Sequence, residues 1–245
     1  MNKNSNVYTI IYLIIIVVVV GTALAFTSMS LKERQTTNAD ADKMKQILMS
    51  IHLPATDKNV GELFDSTITE QLLINSQGQT LLTVKKTSDD NTVFNTDIAA
   101  EIRKPADQRA LPVFVARTND GTKYIIPLYG AGLWGPIWGY VALDSNGSTV
   151  YGAYFSHASE TPGLGAEIET EKFRGEFDNK DLFKNGNFLP IEVVKAGQKP
   201  TNADADYIDG IAGGTITSKG VGAMLDNCLT PYQTFLQQLS DIKPD

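Results

Sequence analysis

The sequence predicts an α+β protein: one twisted antiparallel sheet flanked by helices, carried on one N-terminal transmembrane helix. Three observations predict it. Residues 111–157 read as two consecutive hairpins. The apolar residues on either side of them recur at three- and four-residue spacing. Residues 7–26 carry no charge at all. Together they divide the chain into an anchor over 1–35, a helical connecting and packing segment over 36–110, and a binding domain over 111–245.

Composition narrows the classes of function. The 245 residues are 42% hydrophobic and 20% charged, enough for one moderate domain with appendages. A net charge of −7 argues against a nucleic-acid partner, which calls for a basic face. Cys228 is the single cysteine, so no intrachain disulfide and no cysteine cluster forms; its apolar surroundings read as a buried structural thiol. His52 and His157 stand far apart without ligand spacing, so no metal site is expected.

At a rise of about 1.5 Å per residue, the run 7–26 matches a hydrocarbon core of about 30 Å. Ala23 and Ala25 resemble a signal-peptidase site, but the apolar run is long for a signal core, which favours a retained helix. Tyr8 and Tyr12 suit one interface, Lys32 and Arg34 the other. Lys3 and the amino terminus face two cations across the membrane, so counting charges leaves the orientation open.

The body follows in order. Met44, Ile47, Leu48 and Ile51 give a helix over 38–51, ended by Pro54. Leu63, Phe64, Ile68 and Leu72 give a second helical pattern over 60–74, broken at Gly78. Residues 81–84 read as a strand, 86–95 as a loop, and 97–103 fit either type. Strands at 113–117 and 123–128 flank Asn119-Asp-Gly, a strong hairpin turn; strands at 137–143 and 149–157 flank Asp144-Ser-Asn-Gly. Residues 167–177 look helical, 189–195 look like a strand, and 217–239 form a helical pair broken near Pro231.

Three glycine-containing loops in this domain call for one ligand. The first, 129–140, sets Leu133 and Trp134 among glycines, with Trp138 as a candidate for the core. The second, 156–168, supplies a carboxylate at Glu160, a hydroxyl at Thr161, and Leu164 beside Gly165. The third runs from Asp209 through Gly213 and Gly214 to Thr215, Ile216, Thr217 and Ser218, then enters a helix. Glycine admits close backbone approach, and a helix start offers unpaired N–H groups with partial positive charge, which suits a phosphate. A planar amphipathic ligand with a phosphate tail would use all three loops. Flavin mononucleotide has that shape, although composition and spacing alone do not separate it from other nucleotides. Read alone, each loop also fits an ordinary connection: an aromatic lid, a strand-to-helix link, a capped helix start.

The residues carry a resemblance. They are the anchor, the segment 32–51, the Gly-Ala-Gly-Leu-Trp-Gly run at 130–135, the Glu-Thr-Pro-Gly-Leu-Gly-Ala-Glu run at 160–167 and the stretch 209–221. Together they resemble NqrC, the C-type subunit of the Na+-translocating NADH:quinone oxidoreductase (Nqr). The second run resembles the FMN-binding domains of that complex and of the related Rnf complex. In the family, Asp-x-x-Ser/Thr-Gly-Ala-Thr marks a threonine that carries FMN through a phosphoester. Aligned here, Asp209 is the aspartate and Thr215 the acceptor, with Thr217 the second candidate. Ala212 stands where Ser or Thr is usual and Gly214 where Ala is usual, both small for small.

The resemblance implies covalent FMN at Thr215, with Gly213, Gly214, Ile216, Thr217, Glu160, Thr161, Leu164, Gly165, Leu133 and Trp134 around it. It implies that Asp209 serves recognition by a flavin transferase. It further implies a single-pass protein of the bacterial inner membrane with a periplasmic domain, working with the other Nqr subunits: NqrA, NqrB, NqrD, NqrE and NqrF. The chain would relay single electrons while NADH oxidation, quinone reduction and sodium transport occur elsewhere in the complex. No residue of the chain is then expected to act as a catalytic acid, base or nucleophile. Three alternatives stand beside it: an RnfG-like flavoprotein of the Rnf complex, a membrane-anchored scaffold without flavin, and a threonine-nucleophile enzyme. The last lacks a histidine or lysine base at supporting local spacing, apart from Lys219.

Overall fold

The computed structural model describes residues 6–241 and divides into two compact units, residues 1–43 and 44–245. Lys3, one of the charges weighed for orientation, lies outside the described residues. Helix α1 (Asn6–Met49) runs through the first unit and into the second. Its apolar part reaches a mean hydropathy of 2.8 over eighteen residues, with none of that window buried. It is therefore long and apolar enough to cross a membrane.

The second unit is built on a six-stranded sheet in the order β2-β1-β3-β4-β5-β6, antiparallel throughout. Its strands are β1 (Ile68–Ile74), β2 (Thr80–Val84), β3 (Leu111–Thr118), β4 (Gly121–Ala131), β5 (Pro136–Asp144) and β6 (Val150–His157). The β3–β4 turn holds Asn119 and Asp120, and Asp144-Ser-Asn-Gly turns β5 into β6, at the two places where the sequence predicts hairpins.

One expectation fails between 60 and 74. Helix α2 (Val60–Thr67) stops after two turns and β1 follows without a break. Thr67, Ile68 and Thr69 are β-branched, which disfavours further helix and favours a strand. The three- and four-residue spacing of Phe64, Ile68 and Leu72 mixes one turn of helix with a strand edge. The sheet thus takes two strands from the segment before residue 111. Short elements complete the chain. Helix α3 (Ile98–Glu101) settles the ambiguous 97–103, and Asp97 caps it by accepting from Ala100 N. The expected helix over 167–177 divides into a 3-10 turn (Gly165–Glu169) and α4 (Glu171–Gly175), capped by Thr170. Strands β7 (Phe183–Lys184) and β8 (Asn187–Phe188) form a small hairpin. Strands β9 (Glu192–Val194) and β10 (Tyr207–Asp209) pair in parallel, so only the middle of the predicted strand 189–195 is extended. Helices α5 (Thr215–Leu229) and α6 (Gln233–Asp241) are joined by a 3-10 turn carrying Pro231.

Both faces of the central strands are covered. On one, Val221, Met224, Leu225 and Leu229 of α5 and Leu236 of α6 join Ile126, Leu128, Val141 and Phe155 in a buried core. Phe155 also packs with Phe173 and Phe177, at 5.9 and 5.0 Å between ring centres. On the other, Phe64, Phe94 and Phe114 meet edge to face. Successive strand residues point to opposite faces, so β3 is buried at six positions in a row and reads as an unbroken apolar run. Trp138, on β5, is half-buried and donates from Nε1 to Gln46 Oε1 at 3.0 Å. It packs on the side opposite its buried neighbour Ile137.

Candidate functional site

The loops at 132–135, 158–164 and 210–214 meet at the start of α5. Gly214 is the N-cap of that helix. The first intrahelical bond runs from Ser218 N to Gly214 O, at 2.9 Å. The N–H groups of Thr215, Ile216 and Thr217 therefore precede the helical ladder and keep a partial positive charge. Ser218 braces the loop: its Oγ accepts from Ile211 N and donates to Gly214 O, each at 2.9 Å. Gly213 stands at φ +78°, a conformation that favours glycine.

The two candidate hydroxyls differ sharply. Thr215, in the first turn, is exposed. Thr217 is 1% exposed and its Oγ1 donates to Glu160 Oε2 at 2.5 Å. Thr217, the second candidate acceptor, is thus buried and hydrogen-bonded, where Thr215 is open to solvent.

Glu160 is itself buried, at 5% exposure, and all three loops converge on it. Its Oε1 accepts from Trp134 N at 2.8 Å, and the neighbouring Leu133 N–H adds to the electrostatic stabilisation of the carboxylate. Its own N–H donates to His157 Nδ1 at 3.1 Å. Two glycines from different loops press against it. A Cβ at Gly132 would lie 2.5 Å from Oε1, and one at Gly165 would lie 2.3 Å from Oε2. Burial pushes the carboxyl pKa up, but the bonds from Thr217 and Trp134, with the Leu133 N–H and His157 nearby, outweigh it and hold the group below its ordinary value.

Around this buried knot the surface is apolar. Leu133, Trp134, Leu164 and Ile216 are 48%, 66%, 41% and 56% exposed, four large side chains on the rim where Thr215 lies. Isolated exposed apolar residues need no account, but a cluster at a loop junction marks a binding surface. Thr161 is exposed; its carbonyl accepts from Leu164 N and Ala166 N and shapes the turn. Asp209 is exposed at the end of β10, and its N–H donates to Glu176 Oε2 at 3.0 Å.

Two clefts flank the 209–213 segment. One, of about 420 Å³, is lined by Thr215, Ser218, Lys195, Lys199 and Lys219. The other, of about 520 Å³, is lined by Asp209, Glu167, Glu176 and Lys172. Sequence reasoning noted Lys219 but missed Lys195 and Lys199, because residues 195–199 are remote in sequence from all three loops. The sequence shows Ser218 as one of the hydroxyls at the helix start and as a cap candidate, but not as the brace of the loop.

Glycine close approach, a run of free N–H groups, an exposed hydroxyl and an apolar rim fit a flavin nucleotide with its phosphate at α5. The comparisons agree. The sequence model of the FMN-binding domain family matches residues 132–230, which include all three loops. NqrC of Vibrio campbellii, the C-type subunit of its Na(+)-translocating NADH-quinone reductase, is 32% identical over 216 residues, covering 81% of each chain. Its counterpart from Pseudomonas aeruginosa is 30% identical over 245 residues, covering 91% of each. The crystal structure of the counterpart from Parabacteroides distasonis superposes with a TM-score of 0.75 at 43% identity, covering 84% of this chain and 96% of that one. NqrC from Shewanella oneidensis, at 24% identity and a TM-score of 0.64, shares the fold. Sequence identity over nearly the whole length and a shared flavin-domain core lead to one assignment: the chain belongs to the NqrC family of Na(+)-translocating NADH-quinone reductase subunits.

Proposed function

We propose that the chain is the electron-transfer subunit of a sodium-pumping NADH:quinone reductase, with FMN esterified to Thr215. One observation carries the tether: Thr215 offers an exposed hydroxyl at the start of α5, while the hydroxyls of Thr217 and Ser218 are buried and engaged. When bound, FMN supplies one-electron redox chemistry.

The chain's own residues do the rest by holding and shielding. The N–H groups of Thr215, Ile216 and Thr217 would hold the phosphate, which as a diester would keep one negative charge for them to offset. Gly213 and Gly214 let the backbone come close. Leu133, Trp134 and Leu164 form apolar walls for the ring or ribityl chain, with Ile216 beside them, Gly165 in the adjoining loop, and Thr161 as a polar contact on the lip. Asp209, solvent-facing and a short loop ahead of the acceptor, serves recognition by the flavin transferase. Covalent attachment prevents loss of the carrier during turnover. The apolar part of α1 anchors the domain in the bacterial inner membrane as a single span, with the N-terminus cytoplasmic and residues 44–245 periplasmic. NqrA, NqrB, NqrD, NqrE and NqrF are the partners, with NqrB receiving the electron.

Intact mass of the membrane-extracted protein, made with a flavin transferase present, tests the proposal. An increment of one FMN less water, lost in Thr215→Val and kept in Thr217→Val, is the expected result. Unmodified wild-type protein under those conditions points instead to a membrane-anchored scaffold. Co-purification with an NADH-oxidising, sodium-pumping assembly separates this chain from its Rnf counterpart.

A further inference from the structure

The three loops share an internal ligand, the Glu160 carboxylate. Trp134 N donates to it from the first loop, Glu160 itself lies in the second, and Thr217 donates from the helix that follows the third. Gly132 and Gly165 leave it just enough room: either Cβ would fall within 2.5 Å of a carboxylate oxygen. A group this buried, with both oxygens engaged by the chain, is poorly placed to bond a cofactor directly.

We propose that Glu160 is a positioning residue that fixes Leu133 and Trp134 relative to Thr215, and that its fixed negative charge lowers the reduction potential of the group held there. Two donors, Trp134 N and Thr217 Oγ1, each hold one oxygen of the carboxylate, and charge-assisted hydrogen bonds are the stronger kind. Breaking them frees the strand-connecting loop that carries both exposed apolar side chains. Thr217 and Thr215 share the first turn of α5 with their side chains on roughly opposite sides of it, so the charge lies across one helical turn from the acceptor hydroxyl. A buried anion at that range opposes the arrival of an electron, because the protein interior screens it less than water does. The charge effect rests on the proposal of FMN at Thr215; the loop-fixing effect does not.

Glu160→Gln tests both halves. Glutamine keeps the volume but offers one acceptor oxygen to two donors and carries no charge. In the full chain made without transferase, amide exchange at Leu133 and Trp134 is expected to quicken roughly tenfold, with the β4 and β5 interiors unchanged. Thr217→Val, which leaves the carboxylate in place, is expected to give a smaller change at the same two amides. In the flavin-loaded protein, Glu160→Gln is expected to keep the mass increment and move the midpoint potential positive. Unchanged exchange in both variants overturns the positioning role. A loaded variant with an unmoved potential overturns the electrostatic role. Absence of the mass increment in wild-type protein defeats the tether instead, and the exchange measurement still decides the loop-fixing claim.

Discussion

Gly213 and Leu164, from different loops, stand so close that a Cβ on the glycine would come within 2.6 Å of Leu164 Cδ2. The backbone there is also left-handed. Gly213→Ala is therefore expected to cost about 1–2 kcal/mol from conformation alone, with a further penalty unless Leu164 moves. Gly214 has φ −99°, and its Cβ would meet Ile211 at 3.1 Å. Gly214→Ala, the change toward the family pattern, is expected to cost less, about 0.5–1 kcal/mol, because alanine is the poorer N-cap and Ile211 must give by a few tenths of an ångström. Paired thermal melts of the two variants check this contrast.

Acid should loosen the site. Glu160 has a folded-state pKa below its ordinary 4.5, so its contribution to stability is fully present above that value and is lost as pH falls through the folded value. Below it, the protonated carboxyl accepts weakly from Trp134 and Thr217. Unfolding free energy measured from pH 7 downward should fall less steeply in Glu160→Gln than in wild type. A parallel fall in the two proteins would count against this carboxylate as a source of acid sensitivity.

Trp138→Phe keeps an aromatic ring and removes the hydrogen bond to Gln46 Oε1. The expected loss is about 1 kcal/mol, with the larger part attributable to leaving a half-buried amide oxygen without its donor. Gln46→Ala in the Trp138→Phe background should then cost little more, a non-additivity that chemical denaturation of the four proteins of the cycle would reveal.

Cys228 is 3% exposed; burial pushes its thiol pKa up, against the opposing pull of a backbone bond to Tyr129 and of Arg109. The thiol stays protonated at neutral pH and out of reach of reagent. Alkylation in the folded protein is expected to be far slower than in denaturant, and Cys228→Ser should leave any flavin potential unmoved. Rapid labelling of folded protein would contradict the buried structural role.

Local chemistry made much of the fold readable. Asn119-Asp-Gly and Asp144-Ser-Asn-Gly announced their hairpins because turn residues act within four positions. The start of β1 was hidden because a seven-residue apolar pattern serves a helix face and a strand equally well, and only pairing with β3 decides between them. At the site, glycine and hydroxyl content marked the loops. The exposure of Thr215 and the burial of Thr217 were not readable, since both stand in the first turn of the same helix in near-identical company. Nor was the hold of Glu160 on Trp134, which depends on residues twenty-six positions apart in sequence meeting in space.

A loop cluster that closes on its own carboxylate does not need a guest to take shape. Under the proposed tether, the order of assembly follows from that: folding comes first and loading second, on a finished platform. Cells short of the loading enzyme should accumulate a durable, colourless form of the protein that remains competent to be charged later.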